Sequence, residues 1–422
     1  MKLFITTIFI CFALLSQASD IKQELTNLFG DKIKELPKSD HFEAKYEIQI
    51  QQILDHSDSS KGYFTQYIYV YHAGFDRPTH IETEGYNAYT YTREIPKLVK
   101  GNQVMIEYRY YGKSIPEPLD WKYLTNDNAI EDIHGIVTKL KNVYKGKFLA
   151  SGVSKGGETT MIYKSKYPND VDLFVPYVAP LIKGREDKRT QKHIKTAGTK
   201  AERDSILAFQ RRVLTNREEI LNEIEAYKKE SGNTFSVGEN VALEYAVLEF
   251  PFSYWQWGGK FEDIPGKNSN PKQQFDYIHK LVGIDFYCDA TIKRLYPSFY
   301  QHMRELGYYG FDIKPVKDLL TEVFEPSNEF FAPKNTDLTY NKKYIKTVRK
   351  FLKKEGNNMM FIYGELDTWG ACGVYPSKKT NSVRFDIKGG SHSARIKHLT
   401  TEQKKLVYKY LEDKLNCKIE EY

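Results

Sequence analysis

Cysteine is scarce in this chain. The 422 residues hold four, and three of them, Cys288, Cys372 and Cys417, lie outside the apolar leader that contains Cys11. Three thiols cannot all pair within one chain, so one disulfide with a free thiol and three buried thiols both fit the count. A chain of this size needs no disulfide to hold its core. Metal-ligand spacing is also missing. There is no H-E-x-x-H string and no close His/Cys cluster, so no metal and no cofactor is expected. Charge of one sign is lacking: 62 Lys and Arg against 55 Asp and Glu leave a formal net charge of +7. The richest basic stretch, Lys183 to Lys195, contains Glu186 and Asp187 and reads as a solvated face, so no nucleic-acid partner is expected. Long apolar runs are absent after Leu15. The single run, Leu3 to Leu15, follows Lys2 and precedes Ser16-Gln17-Ala18, a small-x-small pattern. It is short for a membrane span. It reads as a cleavable signal peptide over residues 1–18, which predicts export to a periplasm or the medium and no membrane insertion after cleavage. An uncleaved anchor is the alternative reading.

What is present suits a large globular enzyme. Apolar residues make up 41% of the chain, enough for a substantial core. Glu43 to Ile53, Tyr63 to Tyr71, Thr79 to Thr83 and Gln103 to Arg109 read as strands. Asp127 opens a helix carrying Ile130, Ile133, Val137 and Leu140. Phe148 to Ser151 is strand-like, Glu158 to Tyr167 is helical up to Pro168, and Leu173 to Val178 is a buried strand. Strand, turn, helix and strand in that order is the grammar of a parallel α/β sheet. From about residue 183 the pattern turns helical. Thr215 with Glu218 suggests a capping box, and Val241 to Leu248 and Phe275 to Val282 carry helical spacing. The α/β pattern returns with strands at Met359 to Tyr363 and Val383 to Ile387, and Thr400 with Gln403 caps a last helix. The predicted fold class is α/β, an α/β-hydrolase fold with a mostly parallel central sheet. Its parts are a core over 19–182 and 336–422, interrupted by a helical cap over 183–335.

One segment carries chemistry. Gly152-Val153-Ser154-Lys155-Gly156 matches G-x-S-x-G, in which a serine sits on a strained turn between strand and helix. Bulky side chains two positions either side would clash, so glycines stand there. The N–H of Lys155, at the helix N-terminus, then faces a developing oxyanion. A serine needs a base, and the base needs an orienting carboxylate. The fold supplies them in the order serine, acid, histidine. Asp367 and His392 each follow a predicted strand and complete that order. Among competitors, Glu365 sits nearer its strand end than Asp367, His134 falls on a helix, and His398 falls at the start of the last one. The second oxyanion donor is expected in the loop Thr83-Glu84-Gly85-Tyr86, from the N–H of Gly85 or Tyr86. Glu84 brings a carboxylate near the site. Trp255, Trp257 and Trp369 are candidates to line a substrate pocket, the first two from the aromatic stretch Phe252 to Gly258.

These residues also resemble a known family. Ser151-Gly152-Val153-Ser154-Lys155-Gly156-Gly157 is similar to the nucleophile segment of the secreted tripeptidyl and prolyl tri/tetrapeptidyl aminopeptidases. Glu107-Tyr108-Arg109-Tyr110-Tyr111-Gly112-Lys113-Ser114, Gln52-Ile53-Leu54-Asp55-His56 and Tyr123-Leu124-Thr125 extend the likeness. The string from Glu107 to Ser114 also resembles the lysosomal prolyl carboxypeptidase and dipeptidyl peptidase II family. Those relatives usually carry an aromatic residue where this chain has Lys155, which favours the tripeptidyl branch. The resemblance implies a serine exopeptidase with a helical cap. It would act on peptide substrates and release short peptides from a free N-terminus, often after proline. An aminopeptidase needs a carboxylate for the substrate ammonium, and Glu84, Glu107 and Glu365 are the candidates. Two other readings share the triad or the fold: an esterase or lipase, and a non-catalytic binding protein. Oligomeric state is not legible.

Overall fold

The computed structural model describes residues 21–419, so the predicted signal peptide lies outside the described residues. Nine strands form one sheet: β1 (Ile33–Glu35), β2 (Ala44–Ile53), β3 (Tyr63–His72), β4 (Thr79–Thr83), β5 (Asn102–Ile106), β6 (Phe148–Val153), β7 (Leu173–Tyr177), β8 (Met360–Gly364) and β9 (Val383–Ile387). Their order is β1-β2-β3-β5-β4-β6-β7-β8-β9. The pairs β1/β2, β2/β3 and β3/β5 are antiparallel, and every pair from β5 to β9 is parallel. The burial of each strand follows its place. β2, near the edge, alternates buried and partly exposed residues, as a sheet with one wet face requires. β4, β5, β7 and β8 are buried throughout, because helices cover both faces there.

Those helices are a helix over residues 21–29 (α1), α2 (Glu94–Val99), α3 (Asn126–Leu140) and α4 (Lys155–Lys166), then α11 (Tyr344–Glu355) and α12 (Thr401–Leu415) after the cap. Ile21, Ile133, Met161 and Val348 from α1, α3, α4 and α11 share one core with the sheet. Leu98 and Leu411 from α2 and α12 pack on the other face. Between β7 and β8 lie α5 (Lys188–Ile194), α6 (Lys200–Thr215), α7 (Arg217–Ser231), α8 (Glu239–Trp257), α9 (Pro271–Leu281) and α10 (Asp289–Gln301). They enclose a core of their own around Phe209, Phe250 and Tyr287.

Several local expectations need correction. Thr125, not Asp127, caps α3: its hydroxyl accepts the N–H of Asn128 at 3.1 Å, and Asp127 falls inside the first turn. Thr215 does not open a helix, because α6 runs through it and Asn216 separates α6 from α7; the capping box is at Thr199 and Glu202. The strand read as Gln103 to Arg109 stops at Ile106, and the chain turns through Tyr110 at φ 71°. The helix after the elbow begins at Lys155, directly behind the serine. The capping box at Thr400 and Gln403 is present.

α8 extends well past Leu248, through Pro251. Proline removes one helical hydrogen bond and leaves the carbonyl four residues back without a donor. That carbonyl belongs to Val247, and Gln210 Nε2 donates to it at 2.7 Å. A side chain from α6 thereby satisfies the group the proline orphans, and α8 continues into its aromatic C-terminal turns. Among the described residues Cys288, Cys372 and Cys417 are all free thiols. No helix of the described residues is long and apolar enough to cross a membrane.

Candidate active site

The chain reverses its direction of travel across the sheet between β4 and β6. It runs outward from β4 to β5, then returns to the far side of β4 to lay down β6. A crevice forms at the carboxyl ends of the strands where the order reverses. Two loops meet there. One follows β4 and carries Glu84, Gly85 and Tyr86; the other is the turn from β6 to α4, which carries Ser154.

Ser154 has φ 57° and ψ −120°, a conformation L-residues rarely adopt. Its neighbours explain how the turn closes. A Cβ on Gly152 would lie 2.3 Å from the Gly156 carbonyl, and one on Gly156 would lie 2.6 Å from Thr83 O. The Ser154 N–H is held by Tyr177 O on β7 at 2.9 Å. His392 Nδ1 and Asp367 Oδ2 are 2.8 Å apart, with both side chains buried. With its proton on Nδ1, the imidazole keeps Nε2 as an acceptor. Asp367 Oδ1 accepts the Trp369 N–H at 3.1 Å. Gly364 lets the two loops close up, since a Cβ there would lie 2.3 Å from Ser391 O. Ser154 and His392 line one cavity of about 530 Å³, although no direct hydrogen bond joins their side chains among the described residues.

The cap is fastened to this machinery. The His392 N–H donates to Gln256 O on α8 at 2.8 Å, and Thr368 Oγ1 donates to Phe252 O at 3.0 Å. Trp257 stands edge-on to the His392 ring, centroids 5.8 Å apart. Trp369 lines the cavity and packs on Phe252 and Tyr308 at 5.0 and 5.1 Å. Trp255 does not line this cavity. Two residues along a helix turn the side chain by about 200°, so Trp255 faces the cap interior, where Gly198 makes room for its ring.

Gly85 lies against the start of α4; a Cβ there would be 2.6 Å from Gly156 N. Among the described residues the N–H groups of Tyr86 and Lys155 donate to no protein acceptor. The Lys155 side chain is a feature the sequence reading missed. Its ammonium is buried, donates to Gly85 O at 2.8 Å, and sits 3.9 Å above the Tyr108 ring. Burial pulls it down to about 7, although the nearby Glu158 opposes this. The signal was the lysine itself, a long cationic side chain inside the Gly152 to Gly156 elbow.

The candidate carboxylates separate cleanly. Glu84 lines the cavity but is bound to Arg93, 2.5 Å from Nη2. Burial and the neighbouring Glu82, which shares Arg93, hold its carboxyl up at about 8. Glu107 shapes the turn behind the site, accepting from Lys113 N at 2.7 Å and Ser114 Oγ at 3.0 Å. Glu365 lies outside the cavity and accepts the Gly389 N–H at 2.8 Å. His134 pairs with Asp170 at 2.6 Å on α3, and His398 accepts the Arg395 N–H; neither lines the cavity. Two motifs of the family likeness turn out to be scaffold. Arg109, fully buried, forms two 2.7 Å bonds to Asp132 and donates to the carbonyls of Ile53 and Leu54. Glu158 and Glu249 also line the cavity, and neither was singled out from the sequence.

A strained serine between β6 and α4, in a mostly parallel sheet with a helical insertion after β7, defines a serine hydrolase of the α/β-hydrolase class. Comparison with known proteins narrows this. The family model described as PS-10 peptidase S37 matches residues 15–414. A prolyl tri/tetrapeptidyl aminopeptidase of Streptomyces mobaraensis is 31% identical over 398 residues, 92% of this chain and 83% of the relative. The chain belongs to the peptidase S37 family and is a serine peptidase. Among solved structures it is similar to a proline iminopeptidase of Mycobacterium smegmatis, with a TM-score of 0.43 and 12% identity over 86% of this chain and 98% of that one. An α/β-hydrolase of Penicillium sp. sh18 gives a TM-score of 0.40 and 11% identity over 88% and 99%.

Proposed function

We propose that this chain is an exported exopeptidase that releases tripeptides from free N-termini, with cleavage after proline. Ser154 is the nucleophile, His392 the general base and Asp367 the orienting acid. The observation that carries the assignment is the 2.8 Å His392–Asp367 pair, held at the wall of the cavity that also contains the strained Ser154. Proline at the cut and release of three residues, the shorter of the two lengths that the name gives, are carried over from the Streptomyces prolyl tri/tetrapeptidyl aminopeptidase. Export rests on the leader over residues 1–18. The division into a core over 19–182 and 336–422 and a cap over 183–335 is part of the same reading.

In the acylation step His392 Nε2 takes the proton from Ser154 Oγ as the oxygen attacks the scissile carbonyl. Asp367 holds the tautomer and stabilises the imidazolium. The N–H of Lys155, with that of Gly85 or Tyr86, receives the oxyanion. Lys155 Nζ holds the Gly85 carbonyl and so fixes the plane of the peptide that presents the Tyr86 N–H. The proton on His392 then passes to the leaving amine, and water, deprotonated by the same ring, releases the N-terminal fragment from the acyl-enzyme. An esterase reading has no use for the buried carboxylates that line this cavity. The test is digestion of a peptide mixture with product analysis, beside fluorophosphonate labelling of wild type and Ser154→Ala. Labelling of the wild type alone, with short N-terminal products, supports the reading; failure of the wild type to label overturns it.

A further inference from the structure

A buried carboxylate without a donor or a cation is costly, so one that persists calls for a missing partner. The cavity has two. Glu158, on α4, is 2% exposed and Glu249, on α8, is 7% exposed. Both oxygens of Glu158 and Oε2 of Glu249 lack a hydrogen-bond partner among the described residues. The remaining oxygen, Glu249 Oε1, accepts from Ser253 Oγ at 3.1 Å. Tyr308 lines the same cavity, and burial and the charges of both carboxylates push its phenol up. The cation nearest Glu158 is committed elsewhere, since the Lys155 ammonium points at Gly85 O and the Tyr108 ring. Glu82 and Glu84, on another wall of the cavity, share the guanidinium of Arg93. Glu158 and Glu249 have no hydrogen-bonded cation among the described residues; the Tyr309 hydroxyl eases the Glu249 carboxyl, yet Oε2 closes no hydrogen bond of normal geometry. Burial accordingly holds the Glu158 carboxyl well above the usual range and Glu249 at about 8.

Three carboxylate oxygens without donors match the three N–H donors of a primary ammonium. We propose that Glu249 and Glu158 form the subsite for the substrate's N-terminal ammonium, and that its distance from the nucleophile sets the length of the released peptide. This rests on the exopeptidase reading above.

The geometry of α8 supplies the length. Glu249, Ser253 and Trp257 stand four residues apart, on one helix face, and all three line the cavity. Trp257 is at the His392 end. Eight residues of helix separate it from Glu249, about 12 Å along the axis. A fully extended peptide of three residues spans about 10 Å, and one of two residues about 7 Å. With its ammonium at Glu249, a peptide of three to four residues, about 10–14 Å extended, covers that length towards the His392 end, and a dipeptide falls short. The same pair explains rejection of internal bonds. An ammonium between two carboxylates makes charge-assisted hydrogen bonds. A blocked or internal segment offers one uncharged N–H and no cation, so the two buried carboxyls stay protonated beside it and that attraction is lost.

The experiment compares Glu249→Gln and Glu158→Gln with wild type on one tripeptidyl anilide, with the N-terminus either free or acetylated. Fluorophosphonate labelling is the check that each variant keeps a competent Ser154. The expected result is a raised KM and a loss in kcat/KM of about 10- to 100-fold on the free substrate. Turnover of the free substrate falls more than that of the acetylated one, so the ratio of free to acetylated turnover drops while labelling is retained. Glu249→Asp, which keeps the charge, restores part of the discrimination; this variant carries the test if Glu249→Gln fails to label. Variants that label normally and keep the wild-type ratio overturn the proposal. A wild type that cleaves both substrates equally overturns the exopeptidase reading, and the ammonium subsite with it.

Discussion

The hydrolase core and the helical cap divide the work unequally. The core sets three side chains at the carboxyl ends of three parallel strands of one sheet, β6, β8 and β9, which fixes their spacing. Ser154 follows β6, Asp367 follows β8 and His392 follows β9. The cap contributes no member of the proposed triad. It contributes α8, whose backbone holds the His392 loop and whose side chains form one wall of the cavity. The difference teaches where each property resides. On the proposed assignment, bond-breaking depends on a strained turn and a hydrogen-bonded pair that any substrate would meet. Choice of substrate would then depend on how a helix from a separate core is laid over them.

That division breaks most visibly at the nucleophile. Ser154→Ala is expected to lower kcat by about 10⁶-fold on every substrate, free or blocked, and to abolish fluorophosphonate labelling. Loss confined to one class of peptide would contradict a purely chemical role. Next in size is the scaffold under the core. Arg109→Met leaves Asp132 buried with only His56 Nε2, 2.8 Å away, in place of a guanidinium, and is expected to destabilise the fold by about 3–5 kcal/mol, read as the shift in a urea midpoint. A change below 1 kcal/mol, about the value of an exposed pair, would contradict it.

Glu249 sharpens the comparison from the cap side, because function and stability should move in opposite directions. Its carboxyl titrates at about 8 in the fold against 4.5 in a free chain. As pH rises from about 4.5 to 8, the unfolded chain gains a charge that the fold resists, so native stability falls across that window. Glu249→Gln removes that slope. It should raise Tm relative to wild type, most at pH 8 and above, while activity on free peptides drops. Equal Tm values at pH 8 would show that the carboxylate is solvated.

Lys155 gives a pH effect of the opposite sign, with a smaller expected effect on activity. Its ammonium titrates at about 7 in the fold against 10.5 when free. Between about 7 and 10.5 the unfolded chain holds a proton that the fold does not, so stability rises with pH through that range. Lys155→Met should flatten the rise and slow kcat by about 10-fold through the loosened Gly85 carbonyl. An unchanged kcat would mean that the loop needs no anchor. The smallest effect is expected at Trp257, which is 54% exposed. Trp257→Ala should raise KM a few-fold with no measurable shift in Tm.

The core was far more legible in the sequence than the cap. The elbow could be read because its constraint is local: glycines at 152 and 156 sit two positions from the serine they accommodate. β4 and β9 have the predicted bounds because each is a short run set off by turn residues. Asp127 and Thr215 misled because several cap-competent residues stood near each helix start, and only the backbone path selects among them. α8 ran past its predicted end because the rescue of Pro251 comes from Gln210, on another helix. Glu158 and Glu249 were invisible for the same reason. A carboxylate's lack of a partner is a property of the folded cavity, and nothing in its immediate sequence records it. Trp255 and Trp257 looked equivalent in the sequence, and their separation came only from the helix turning between them.

The most direct measurement is the product spectrum of wild type and Ser154→Ala on an equimolar mixture of peptides with free and acetylated N-termini, read by mass spectrometry. The account predicts three-residue fragments from the free N-termini alone, and no products from the variant. Internal cuts, or fragments released equally from the acetylated set, would contradict it.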